Sequence, residues 1–220
     1  MSPGLDLRTG ARLLFQGDSI TDCGRSPRDE EVPPNTGLGA GYPLILSSQL
    51  LERLPAKRLE CFNRGISGNR IVDLYARWRI DAIKLRPDII SILIGVNDTW
   101  HAFKRDNGVE VDRYEQIFRL LLDYTRAQLP ETRLVLLEPF ALLTGEVQAE
   151  WIAEMKLRQE IVARLAGDFS AIFVPLQKPF EIAAADTGPT YWLHDGVHPT
   201  PAGHALIARA WLRATGLGEA

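Results

Sequence analysis

The chain has 220 residues and a formal net charge of −3, with 45% hydrophobic and 24% charged residues. These values are ordinary for a globular domain, and they exclude a disordered chain, a collagen-like fibre and a highly charged tail protein. We expect a single domain over residues 1–220 and no nucleic-acid partner, because affinity for phosphate backbones comes mostly from clustered Lys and Arg.

Five short apolar runs predict buried strands, because each is followed by Gly, Pro or a polar turn. They are residues 12–16, 59–63, 88–94, 133–138 and 170–175. Near-continuous apolar strands are typical of a sheet that is covered on both faces, so we expect the strands to be parallel.

Amphipathic segments between these runs predict helices at 42–54, 70–85, 112–129 and 146–166. Gly167 is expected to be the C-cap of the fourth helix. Thr200 and Pro201 fit the N-cap and first position of a last helix. The alternation of strand and helix predicts a doubly wound α/β sandwich without internal repeats.

The N-terminal residues 1–10 contain no apolar segment preceded by basic residues, so we expect no secretory signal. The longest apolar stretch, Ile89–Val96, is too short to span a bilayer. We therefore expect a cytoplasmic protein with no membrane partner. Cys23 and Cys61 are expected to be free thiols, since a chain of this length can build a full core without disulfides.

The turns after the predicted strands form the candidate site, because ligands of open parallel sheets bind beyond the carboxyl ends of the strands. These turns read Gly17-Asp18-Ser19-Ile20-Thr21, Asn63-Arg64-Gly65-Ile66-Ser67-Gly68-Asn69, Gly95-Val96-Asn97-Asp98 and, after a further helical stretch, His194-Asp195-Gly196-Val197-His198-Pro199. Each turn offers small residues together with side chains suited to acyl chemistry.

Ser19 is the candidate nucleophile of these turns. A serine hydroxyl needs a neighbouring base, usually a histidine whose tautomer is held by a carboxylate. Asp195 and His198 lie in one loop with Gly and Pro, so this loop can fold the carboxylate onto the imidazole that faces Ser19. The Ser19 N–H, an N–H beside Gly68 and the Asn97 amide are candidate donors to the developing oxyanion.

Four blocks of this sequence resemble the four blocks of the GDSL, or SGNH, hydrolases, and they occur in the family's order. They are Gly17-Asp18-Ser19-Ile20-Thr21-Asp22, Ile66-Ser67-Gly68-Asn69, Gly95-Val96-Asn97-Asp98 and Asp195-Gly196-Val197-His198-Pro199. The resemblance implies a three-layer, flavodoxin-like α/β/α sandwich with five parallel strands. It also implies an esterase that needs no cofactor and no metal.

The same resemblance implies a role for each matching residue. Ser19 would be the nucleophile, His198 the base and Asp195 the residue that orients His198. The oxyanion hole would consist of the Ser19 N–H, the Gly68 N–H and the Asn97 side chain.

Ser67 is the alternative nucleophile, because Gly65-Ile66-Ser67-Gly68-Asn69 nearly matches the G-x-S-x-G elbow. It lacks the final Gly, and the chain order Ser, Asp, His suits Ser19 equally well, so Ser19 is preferred. Among the other histidines, His101 and His204 are interpreted as structural or solvated. His194 adjoins Asp195 and could line the pocket, but it is interpreted as a surface loop residue.

Aromatic residues near the motifs indicate how a substrate would be held. Trp100 follows the third block, and Tyr191 and Trp192 precede the last one. Such rings suit stacking on a sugar or enclosing a small apolar group, although aromatic loop residues are about as often part of a core. We expect Asp18, Trp100, Tyr191 and Trp192 to bind substrate.

Residues 19–25 and 95–100 most resemble the intracellular acetylxylan esterases of this family. That resemblance implies a serine esterase that removes acetyl groups from sugars or xylo-oligosaccharides through a Ser-His-Asp triad and an acyl-enzyme. His194 departs from the subgroup, which has Trp directly before the catalytic Asp, and Trp192 is a candidate substitute. The expected partner is a small ester or an acetylated oligosaccharide, and a homo-oligomer is left open.

Two alternatives from other functional classes remain. A lipid-type esterase of the same family, such as a lysophospholipase or thioesterase, would need an elongated apolar groove. A non-catalytic carbohydrate-binding protein on this fold would usually have lost Ser, Asn or His, and all three are present here. Acyl-chain preference separates the lipid-type esterase from an acetylesterase.

Overall fold

The computed structural model describes residues 5–26 and 32–218, so residues 1–4 of the N-terminal segment considered above lie outside it. Within the described part the strands are β1 Arg12–Gly17, β2 Glu60–Asn63, β3 Ile89–Leu93, β4 Arg133–Leu137 and β5 Ile172–Val174. The helices are α1 Ser19–Asp22, α2 Tyr42–Arg53, α3 Ile71–Asp81, α4 Val96–Arg105, α5 Val111–Gln128, α6 Ala149–Asp168, α7 Gln177–Thr187 and α8 Pro201–Ala214.

The five strands form one parallel sheet in the order β2-β1-β3-β4-β5. The predicted α/β fold with a five-stranded parallel sheet is therefore confirmed. The chain leaves β1 toward β2 on one side and returns to β3 on the other side of β1. This reversal creates a crevice at the carboxyl ends of β1 and β3, where doubly wound sheets bind their ligands.

Helices cover both faces of the sheet because the strand residues alternate between two cores. Leu13 and Phe15 pack with α2 and α8, whereas Leu14 between them packs with α3 and α5. Ser91 of β3 is buried on the α8 face and accepts a hydrogen bond from the Trp211 indole N–H at 3.1 Å. The sheet is thus enclosed between two helical layers, which matches the predicted three-layer sandwich.

Several predicted helix boundaries are corrected by the structure. Gly167 is not a C-cap, because α6 continues to Asp168 and Phe169 follows as its cap. The helix predicted at 70–85 ends at Asp81, and a separate 3-10 turn covers Ile83–Leu85.

Residues 96–98, expected to lie in a turn, form the start of helix α4. The polar residues in its first turn hide the helical periodicity of Val96–Arg105. The predicted N-cap of α8 is confirmed, since the Thr200 hydroxyl accepts from the Gly203 N–H at 3.2 Å.

Two further expectations bear on compartment and redox chemistry. Both Cys23 and Cys61 are free thiols, as expected. In the described part of the chain, no helix combines the length and apolar character that crossing a membrane requires.

Candidate active site

The turn after β1 presents Ser19 at the edge of the sheet. Gly17 ends the strand at a position where a Cβ would collide with the Leu93 carbonyl oxygen and the Thr21 hydroxyl, so the turn packs closely against β3. Ser19 follows as the first residue of α1. Its side chain is only partly buried, which leaves the hydroxyl accessible from the crevice.

Ser19, His198 and Asp195 form a continuous hydrogen-bonded relay. The Ser19 Oγ lies 2.9 Å from His198 Nε2, and His198 Nδ1 lies 2.8 Å from Asp195 Oδ2. An ionised Asp195 can only accept, so Nδ1 carries the proton and Nε2 is free to accept from the serine hydroxyl. The structure therefore brings together the three residues that the sequence analysis paired.

Asp195 is held as a carboxylate by its own loop. Its Oδ1 accepts from the backbone N–H groups of Val197 and His198 at 3.0 and 2.8 Å. Burial acts to raise the pKa of Asp195, but these hydrogen bonds and the one to the His198 ring hold the pKa below its usual value. The negative charge is thus available to stabilise a protonated imidazole.

Hydrogen bonds also join the three turns that carry the candidate oxyanion donors. The Ile66 N–H donates to the Gly17 carbonyl at 3.1 Å, which fastens the turn after β2 to the end of β1. The Asn97 Nδ2 donates to the Asn69 carbonyl at 3.2 Å, which fastens the same turn to α4.

Each predicted oxyanion donor has an N–H group that is available to a ligand. In the part of the chain that the structure describes, the backbone N–H groups of Ser19 and Gly68 have no hydrogen-bond acceptor. Gly68 has a φ of +83°, a conformation that glycine adopts at little cost. The Asn97 amide has two N–H donors, of which Asn69 occupies one.

Ser67, the alternative nucleophile, has a different partner. Its hydroxyl donates to Asp22 Oδ2 at 2.7 Å, and its backbone N–H donates to the same oxygen at 2.9 Å. A carboxylate that also caps this turn does not supply the imidazole base that serine catalysis uses. The structure therefore favours Ser19 over Ser67.

Trp100 is the one predicted substrate-binding aromatic that contacts the relay. Its ring lies edge-on to His198 with the centroids 5.8 Å apart. Trp100 also contacts Trp151 at 5.2 Å, and Phe103 stacks on Trp151 at 5.5 Å. The sequence analysis missed Phe103, which is 43% exposed and lies one helical turn beyond Trp100 on α4.

Tyr191 and Trp192 lie beside α7, and their role in substrate binding stays a prediction. The Trp192 indole N–H donates to the Ala183 carbonyl at 2.9 Å and to the Thr187 hydroxyl at 2.8 Å, so its ring is tied to α7. Tyr191 is 57% exposed and packs edge-on against Trp192. The contacts of both rings are with each other and with α7 rather than with Ser19 or His198.

Asp18, the fourth residue expected to bind substrate, is buried, and its role in binding stays a prediction. Its Oδ1 accepts from the Ile20 N–H at 3.0 Å and thereby caps α1. Burial raises the pKa of Asp18 to about 7. Asp18 thus supports the turn that carries Ser19.

Two other histidines, His204 and His194, take no part in the relay. His204 is buried, its Nδ1 accepts from the Tyr42 N–H at 3.1 Å, and its Nε2 lies 3.5 Å from the Cys23 sulfur. Burial lowers the pKa of His204 to about 4, which keeps the ring neutral. His194 has an exposed side chain, and its backbone N–H donates to the His198 carbonyl at 2.9 Å.

Among residues 5–26 and 32–218, no cluster of three or more His, Cys, Asp or Glu side chains is arranged to hold a metal ion.

Comparisons with known proteins agree with this geometry. The sequence profile of the GDSL-like lipase/acylhydrolase family matches residues 15–206. An acetylxylan esterase from Geobacillus stearothermophilus is 36% identical over 216 residues, which cover 96% of this chain and 97% of that protein.

Solved structures show the same relationship. A structure described as a GDSL-like lipase from Parabacteroides merdae has a TM-score of 0.93 and 42% identity, covering 98% of this chain and 100% of that one. A crystal structure of the Geobacillus stearothermophilus acetylxylan esterase has a TM-score of 0.87 and 34% identity, covering 96% and 97%. An alpha/beta hydrolase from the metagenome of Lake Arreo, Spain, has a TM-score of 0.88 and 32% identity, covering 97% and 98%.

Proposed function

Since this chain belongs to the GDSL-like lipase/acylhydrolase family and is a carboxylic ester hydrolase, we propose that it is a serine esterase that removes acetyl groups from xylo-oligosaccharides. The observation that carries the proposal is the relay from the Ser19 hydroxyl through His198 to Asp195, with distances of 2.9 and 2.8 Å. Each bond in this relay has the donor and acceptor that acyl transfer by serine requires.

In the proposed reaction, His198 Nε2 takes the proton of Ser19 as Oγ attacks the acetyl carbonyl carbon. Asp195 stabilises the imidazolium that forms. The carbonyl oxygen becomes an oxyanion and accepts from the Ser19 N–H, the Gly68 N–H and the Asn97 amide. His198 then gives its proton to the sugar oxygen as the carbon–oxygen bond breaks, which leaves an acetyl-enzyme.

The second half of the reaction uses the same residues with water in place of the sugar. His198 takes a proton from water as the water oxygen attacks the acetyl carbonyl of the acyl-enzyme. The tetrahedral intermediate collapses, Ser19 recovers its proton from His198, and acetate leaves. No redox step is involved, so the chemistry requires only the groups named here.

Two observations support an acetylated sugar as substrate. Trp100 lies edge-on to His198, so a bulky ring occupies space next to the reacting atoms and leaves less room for a long acyl chain. Phe103 extends the aromatic surface away from the relay and is partly exposed, as is common for rings that stack on sugars. The acetylxylan esterase at 36% identity supports the same substrate class.

The test compares purified protein on p-nitrophenyl esters from acetate to dodecanoate and on acetylated xylo-oligosaccharides. We expect acetate to be the best acyl group and the acetylated oligosaccharides to release acetate. Higher kcat/KM on octanoate than on acetate would replace this proposal by the lipid-type esterase.

The nucleophile is tested in the same assay with a matched pair of serine variants. Ser19→Ala should lower kcat by about four to six orders of magnitude, as loss of a triad member does. Ser67→Ala should stay within about threefold, because the Ser67 hydroxyl binds Asp22 rather than the relay. An active Ser19→Ala variant beside an inactive Ser67→Ala variant would reverse the assignment.

A further inference from the structure

Asp98 is a buried carboxylate beside Asn97 that has no part in the relay. It is fully buried at the start of α4, and its Oδ1 and Oδ2 lie 3.0 and 3.2 Å from the Ile71 N–H. Burying a carboxylate costs free energy unless hydrogen bonds or a nearby charge offset the cost. Its position therefore needs a physical reason.

The Ile71 N–H belongs to the first turn of α3, whose amide hydrogens have no partner within the helix. Asp98 accepts from it across 27 positions of sequence, so it caps α3 from a different helix. A negative group at this end of a helix is also favoured by the helix dipole. The bond ties α4 to the chain three residues after Gly68.

A second bond joins the same two segments. The Asn97 Nδ2 donates to the Asn69 carbonyl at 3.2 Å. Asn97 and Asp98 are adjacent, so two consecutive side chains of α4 hold the stretch from Asn69 to Ile71. Gly68 directly precedes this stretch, so the two bonds hold two of the three proposed oxyanion donors, Gly68 and Asn97, relative to each other.

The other side of α4 is anchored in the core. Arg158 of α6 is fully buried and donates to the Thr99 hydroxyl at 2.9 Å and to the Val109 carbonyl at 2.6 Å. The Tyr114 hydroxyl donates to the Ile94 carbonyl at 2.9 Å, just before α4. The first turn of α4 is thus fixed to the core, and the hydrogen bond from Ile71 to Asp98 holds the Gly68 turn against it.

We propose that Asp98 is a positioning residue that sets the distance between the Gly68 N–H and the Asn97 amide. The inference rests on the oxyanion role proposed above for these two donors. The positioning role requires a side-chain oxygen that accepts from the Ile71 N–H. It does not require a negative charge, so the amide oxygen of an asparagine would serve equally well. Burial raises the pKa of Asp98 to about 7, with the positive charge of Arg158 opposing the rise, so a neutral side chain is tolerated there.

The experiment compares Asp98→Ala, Asp98→Asn and the control Thr132→Val on p-nitrophenyl acetate. Asp98→Ala should lower kcat by about 100-fold and leave KM within about threefold, because a small misplacement of catalytic groups costs this much. Asp98→Asn keeps an acceptor for Ile71 and should recover kcat to within about tenfold of wild type. Thr132→Val removes a buried hydroxyl that donates to the Pro87 carbonyl before the amino ends of β3 and β4, so it should lower Tm but leave kcat within about threefold.

Hydrogen exchange at the Ile71 amide gives a readout that does not depend on activity. Exchange should accelerate by at least about tenfold in Asp98→Ala and stay near wild type in Asp98→Asn. The proposal is wrong if Asp98→Ala keeps kcat within threefold while its Tm falls, or if Asp98→Asn is as inactive as Asp98→Ala. Asn97→Ala distinguishes a failure of the positioning role from a failure of the oxyanion assignment. If it loses kcat while Asp98→Ala keeps it, the positioning role alone fails, and if both keep it, the oxyanion assignment fails.

Discussion

Asn97→Ala is the most direct test of the proposed oxyanion hole. The side chain is 8% exposed, and one N–H of its amide donates to the Asn69 carbonyl at 3.2 Å. The second N–H has no acceptor among the described residues, so it is available to a ligand. Truncation to alanine removes this donor and leaves Ser19, His198 and their hydrogen bond in place.

The expected loss of activity follows from the charge on the substrate carbonyl oxygen, which differs between the bound substrate and the transition state. The ester carbonyl of the bound substrate is nearly neutral, so KM should change by less than about threefold. Negative charge develops on this oxygen in the transition state, and removal of one donor costs about 10²–10³ in kcat, or about 2.7–4 kcal/mol. The loss of the Asn69 bond also destabilises the fold by about 1 kcal/mol.

The assay is steady-state hydrolysis of p-nitrophenyl acetate, with Tm measured for every variant. Asn97→Asp has the shape of the wild-type residue but presents a carboxylate without a donor, so its kcat should fall at least as far as that of Asn97→Ala. Ser67→Ala is the control for a polar change in the neighbouring turn. Should either Asn97 variant keep kcat within about threefold of wild type, the amide is not an oxyanion donor.

Two further predictions concern acyl specificity and acid stability. Trp100→Ala should raise the ratio of kcat/KM for octanoate to that for acetate by about tenfold, the gain from burying about two methylene groups. Trp192→Ala should leave this ratio unchanged because that ring packs on α7, and an equal effect of both variants would contradict the placement of Trp100. His204 has a folded pKa of about 4, below the ordinary 6.5, so the unfolded chain binds more protons between these values and stability falls as pH falls through this window. His204→Gln keeps an acceptor for the Tyr42 N–H but does not titrate. Between pH 6.5 and pH 4.5, its free energy of unfolding in urea should therefore fall by about 2 kcal/mol less than that of wild type. An equal fall in both proteins would contradict a buried neutral His204.

The sequence was sufficient for the features that depend on local pattern. Apolar runs bounded by turns identify the five strands, and the rule for parallel sheets places Ser19 and Asn97 at the same edge. Asp195 and His198 are three positions apart, so their pairing needs only one loop to close.

The tertiary structure decided the features that depend on contacts between distant segments. Trp192 lies three residues before Asp195, yet its ring turns to α7 because Ala183 and Thr187 accept its N–H. Ser67 sits in a motif nearly as suggestive as that of Ser19, but its hydroxyl donates to Asp22, whereas the Ser19 hydroxyl lies 2.9 Å from His198 Nε2.

Asp98 shows the same limit within a recognised block. Its partner Ile71 lies 27 positions away, and its burial comes from the packing of α4 on α6. The sequence determines which side chains stand at the edge of the sheet. The direction in which each one points is the outcome of competing hydrogen bonds and packing contacts, and these exist only once helices that are far apart in the chain have come together.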